Sequence, residues 1–155
     1  MRTLVVLMIL LPAAARAEFA LSDITGTWAG AGSYTEALST ARMRCRIAIA
    51  GNADQVALTG RCASSLGAED LDLTFTRLPG GEISLRAEDG QRQGETTVEE
   101  LTGLPEASQV ILRGENGLDR AAVQIRLNPD GTLYFATETK WRTGNAKSAI
   151  TLVPQ

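Results

Sequence analysis

A chain of 155 residues has room for one domain with a sizeable core. It carries 15 Lys and Arg against 18 Asp and Glu, a net charge of −3, which argues against nucleic acid or an anionic lipid surface as the main partner. It has no histidine and only 2 cysteines, so a Ser-His-Asp triad is excluded and a zinc site is disfavoured.

The first element in chain order is a leader. Arg2 gives a positive start, Leu4 to Leu11 is an unbroken apolar run, Pro12 breaks it, and Ala15-Arg16-Ala17 supplies the small-x-small pattern of a cleavage site. Residues 1–17 read as a signal peptide and 18–155 as a single domain. The apolar run is shorter than the roughly 20 residues that span a bilayer. No later stretch approaches that length, so the mature form is expected to lack a membrane span and to be periplasmic or secreted. In an exported chain, Cys45 and Cys62 are most simply a disulfide.

Short alternating apolar runs then succeed one another between turns, the signal of half-buried strands. Tyr34 to Arg42 is rich in helix formers and reads as a helical turn or a loop. From Met43 to Ala50, Met43, Cys45, Ile47 and Ile49 share one face, and Arg44 and Arg46 share the other. Gly51 to Asp54 turns the chain into Gln55 to Cys62. A hairpin that sets Cys45 opposite Cys62 also sets Ile47 opposite Gly60, Ile49 opposite Leu58 and Gly51 opposite Val56. Opposed residues in an antiparallel pair lie ~4.5–5.5 Å apart at Cα, which overlaps disulfide geometry.

Further strands are read at Leu71 to Phe75, Ile83 to Ala87, Gly94 to Leu101, Ser108 to Arg113, Val123 to Leu127, Leu133 to about Trp141, and Ala149 to Val153. Turns are read at Leu78–Gly81, Glu88–Gly90, Glu115–Gly117, Asn128–Gly131 and Gly144–Asn145, with a loop over Thr102–Ala107. Strands joined by tight turns favour an up-and-down meander, and a meander of this size removes its edges by closing into a barrel. The expected fold is all-β: a single antiparallel barrel of about 8–10 strands, with a two-sheet β-sandwich as the alternative. An outer-membrane barrel is disfavoured because aromatic residues make up only 5% of the chain and the polar faces carry Arg, Asp and Glu.

Gly26-Thr27-Trp28 opens the first strand, and the Cys45/Cys62 pair follows. In these features the chain resembles the calycin barrels: the lipocalins, and the bacterial periplasmic inhibitors of metalloproteases. The resemblance implies that Trp28 is a structural plug at one end of the barrel.

The chemistry-bearing clusters read blandly. Arg42, Arg44 and Arg46 form an outer-face stripe, expected to be solvated and paired across strands with Asp70 or Asp72. The acid pairs Asp70/Asp72, Glu88/Asp89 and Glu99/Glu100 lack the setting of a glycosidase or calcium site. Gly30-Ala31-Gly32-Ser33 leads into no clear helix, so it is no phosphate cradle. The expectation is a monomeric binding protein, not an enzyme, with no cofactor and no metal. A small apolar ligand would lie inside the barrel against Ile47, Leu58, Phe75, Leu85, Ile125 and Phe135, in a cavity of ~300 Å³ or more. Small inner residues such as Gly60 and Ala87 would give room. The alternative is a peptidase inhibitor or structural envelope component that meets another envelope protein through its surface.

Overall fold

The computed structural model describes residues 18–87 and 98–155. The proposed leader, the turn at Glu88–Gly90 and the start of the strand expected from Gly94 lie outside them. After a short 3-10 turn at Leu21–Ile24 come strands β1 (Gly26–Glu36), β2 (Ser39–Gly51), β3 (Gln55–Ser64), β4 (Gly67–Arg77), β5 (Ile83–Ala87), β6 (Glu100–Gly103), β7 (Pro105–Glu106), β8 (Gln109–Asn116), β9 (Asp119–Leu127), β10 (Leu133–Trp141) and β11 (Gly144–Pro154).

Every neighbouring pair is antiparallel. β1 lies between β2 and β11, each later strand pairs with its predecessor through β6, and β8 to β11 continue the meander. Two pairings decide barrel over sandwich. β1 runs along β11 from Trp28 opposite Pro154 to Glu36 opposite Ala146. β6 meets β8 at Thr102 opposite Arg113. With both seams formed the described strands close into a barrel, and among the described residues β7 is a short flap paired only to β8. Arg86 and Glu100 brace β5 against β6 with two hydrogen bonds of 3.2 and 3.1 Å.

The expected hairpin register is the observed one. Cys45 pairs with Cys62, Ile47 with Gly60, Ile49 with Leu58 and Gly51 with Val56. The disulfide spans Cα atoms 4.1 Å apart. Alternation carries the core: Met43, Cys45, Ile47 and Ile49 are buried while their neighbours Arg42, Arg44, Arg46 and Ala48 are exposed.

Three local expectations are corrected. Tyr34 to Arg42 is neither helix nor loop but the end of β1, a two-residue turn and the start of β2. Ala37 takes the turn with φ 49°, and Leu38 stands fully exposed at the tip. A helix this short is marginal in water, and pairing with long neighbours on both sides outweighs its propensity. Thr102–Ala107 contains the end of β6 and all of β7, because this segment makes the closing contact with β8. Gly144–Asn145 lies within β11. Gly144 is opposite Trp141, so the turn falls at residues 142–143.

The two ends of the barrel differ. At one end Phe19, Leu21, Ile24 and Trp28 are buried together. The indole Nε1 of Trp28 donates to the Ile24 carbonyl at 2.9 Å, and the Arg77 guanidinium donates to the Phe19 carbonyl at 3.2 Å. The hairpin turns after β1, β3 and β10 lie at the opposite end.

Candidate functional site

On β1 the positions that face inward are Trp28, Gly30, Gly32 and Tyr34, because each lies opposite an inward residue of β2. Gly30 is opposite Cys45 and Gly32 opposite Met43. Two successive inward positions therefore carry no side chain, and on β3 the inward Gly60 adds a third. A Cβ at Gly30 or Gly32 would run into the β11 backbone, at the Thr151 and Ala149 carbonyls respectively. Glycine is what lets the strand coil this tightly at a barrel corner.

The barrel interior holds a cavity of about 60 Å³. It lies against β1, β2, β3, β4, β10 and β11. Its inner part is apolar, formed by Ile47, Leu58, Phe135, Ile150 and Leu152. The disulfide Cys45–Cys62 and Leu71 make one wall. Toward the open end the lining turns polar, with Tyr34, Glu69, Thr137, Thr139 and Ser148 beside Met43 and Ala146. Thr137 and Ser148 share a hydroxyl hydrogen bond of 2.8 Å, and the Thr139 hydroxyl donates to the Ala146 carbonyl at 3.4 Å.

The cavity is well below the expected ~300 Å³ of a small-molecule pocket. It is nevertheless large for a void, since one water needs ~10–15 Å³ by this measure. The shortfall has a clear cause. Phe75, Ile83, Leu112, Ile125 and Leu133 are fully buried and fill the rest of the interior.

Of the residues expected to hold a ligand, Ile47, Leu58 and Phe135 line the cavity, whereas Phe75, Leu85 and Ile125 are packed into the core away from it. Ala87, expected to give inner room, is exposed at the end of β5. Tyr34 was hidden by the helix-like composition of its segment, and Glu69 by attention to the neighbouring acids Asp70 and Asp72. The signal that finds both is parity. Glu69 is two positions before Leu71 on the inner face of β4, opposite Cys62.

The rim is electrostatically distinctive. Glu69 has substantial exposed surface, yet the apolar wall around it raises its carboxyl above the ordinary value by desolvation. The Tyr34 phenol is raised too, first by burial, then by the charge of Glu36, the hydrogen bond to Glu36 and the charge of Glu69. The Tyr34 hydroxyl donates to Glu36 Oε2 at 3.2 Å.

The arginine stripe lies on the outer face of β2, but its expected acidic partners are elsewhere. Register places Arg46 opposite Arg61 and Arg44 opposite Ala63. Asp70 is opposite Arg61 and bridges it at 2.8 Å, while Asp72 is opposite Thr59.

No family model matches the chain, and no curated protein matches it. Among solved structures it is similar to the S-type phycobiliprotein lyase CPES from Guillardia theta. The TM-score is 0.61 at 10% identity, covering 87% of this chain and 90% of that one. At this identity the likeness is one of fold, and it supports the calycin-like barrel. It also corrects one expectation: that the chain is not an enzyme. A barrel of this architecture serves as a lyase, so the absence of histidine and free thiol is no ground for excluding catalysis.

Proposed function

We propose that this chain is an exported barrel protein that holds a small, mostly apolar ligand in the cavity at the open end of its barrel. The observation that carries the reading is the cavity itself, apolar at Ile47, Leu58, Phe135, Ile150 and Leu152 and polar at its rim of Tyr34, Glu69, Thr137 and Ser148. Apolar walls with a few placed polar groups are the usual make-up of a ligand pocket. The modest volume favours a short ligand, or one that inserts only its apolar end. The disulfide suits an exported protein, and no helix among the described residues is long and apolar enough to cross a membrane.

Native mass spectrometry of the protein purified from its own host tests the reading. A low-mass adduct is expected on the wild type and absent from Ser148→Phe, whose ring would fill the mouth. A wild type without an adduct, or an adduct equally retained by the variant, would remove the reading.

A further inference from the structure

β4 begins with two acids whose surroundings contrast. Asp70 points outward and is met by Arg61 at 2.8 Å. Glu69 points inward at the cavity rim, and among the described residues no ion pair reaches it. Its neighbours sharpen the contrast. Tyr34 lines the same rim, and the nearby charge on β1 is another carboxylate, Glu36. Lys147, the cation on the adjoining β11, lies opposite outward-facing Thr35 and is bridged to Glu138 at 3.0 Å. The mouth thus presents negative charge and an aromatic ring, with apolar side chains deeper in.

We propose that the cavity takes an organic cation, with an ammonium-type head at the rim against the Glu69 carboxylate and a short apolar chain directed toward Phe135 and Leu152. The inference rests on the cavity being a ligand site, as proposed above, and adds the chemical class of the ligand. A cation is what the rim lacks. It compensates a carboxylate that the apolar wall desolvates, and the Tyr34 ring face is a second favourable surface for it. An anionic head would face the Glu69 and Glu36 carboxylates. The apolar depth disfavours a wholly polar cation such as a bare metal ion, and no group of three acid or cysteine ligands fit for a metal occurs among the described residues.

Three probes of equal chain length separate the possibilities: n-butylammonium, n-butanol and n-butyrate. Each is titrated at neutral pH into the full-length protein while the methyl resonances of Ile47, Leu58, Ile150 and Leu152 are followed by NMR. Butylammonium should bind about three- to fivefold more tightly than butanol, the scale of a partly exposed ion pair, and butyrate more weakly than either. Glu69→Gln should abolish the preference for the cation, with butanol still shifting the same four residues. Because Glu69 is at the exposed rim, the variant is expected to fold, and the butanol titration verifies its cavity. Equal binding of butanol and butylammonium, or a cation preference that survives in Glu69→Gln, would overturn the charge assignment while leaving the cavity a ligand site. Failure of all three probes to shift the four residues would overturn both.

Discussion

Trp28 and Glu69 show what position does to a side chain. Trp28 is only 5% exposed, and its one polar atom is satisfied by the Ile24 carbonyl at 2.9 Å. We infer that it acts as a plug, so Trp28→Ala should cost about 3–5 kcal/mol in chemical denaturation, the usual range for truncating a core aromatic. Unchanged stability would remove that role. Glu69 bears on pH. Its carboxyl is raised in the folded state by desolvation, so in the window above the ordinary value of 4.5 the folded protein binds more protons than the unfolded chain. This contribution to stability is full below that window and is lost as pH rises through the folded-state value. Glu69→Gln should remove that part of the decline when denaturation midpoints are compared from pH 4 to pH 7. Asp130 acts with the opposite sign. Hydrogen bonds from the Thr132 side chain and backbone lower its carboxyl, so its contribution is lost as pH falls below the ordinary value of 3.8.

Among the elements, β1 carries the most consequence for the site. Its inner face runs Trp28, Gly30, Gly32, Tyr34: a large residue, two positions closely approached by the β11 backbone, and a polar aromatic. Gly30→Ala should destabilise by about 1–3 kcal/mol through overpacking, because the new Cβ meets β11 backbone, which cannot swing aside as a flexible side chain can. A neutral result in urea unfolding would mean that the strand can uncoil there. The β2–β3 hairpin is braced differently. Its disulfide closes a sequence separation of 17 residues. Replacing both cysteines by alanine should therefore cost about 2–4 kcal/mol, read from the denaturation midpoint. The two sulfurs also wall the cavity, so the double variant should alter probe binding as well as stability.

At the scale of the whole molecule, barrel closure and export are separate matters. Closure depends on the β1–β11 seam, which joins the first and last strands of the chain, and on the β6–β8 seam, which joins Thr102 to nearby Arg113. Export is a proposal on the leader, residues 1–17. The exported form should begin at Glu18, and N-terminal sequencing decides it; an exported form that starts at Met1 would refute the cleavage site. The described chain is ordered from its first residues, since Phe19 is buried and its carbonyl accepts from Arg77. A cut after Ala17 would leave that plugged end intact.

By itself the sequence determined what is local and periodic. Period-two alternation identified the inward residues of β2, β4, β9 and the start of β10, and the requirement that Cys45 meet Cys62 set the register of a whole hairpin. These are short-range constraints, and slipping a strand by one residue would turn every apolar side chain outward. Only the tertiary structure decided which inward residues line a space and which are packed solid. Ile47 and Phe75 look alike in sequence. Ile47 lines the cavity, while Phe75 is fully buried in the packed core. Tyr34 and Glu69 were illegible for the same reason. Their meaning comes from neighbours on other strands, and a residue's own stretch of chain records which face it takes but not what stands across the barrel from it.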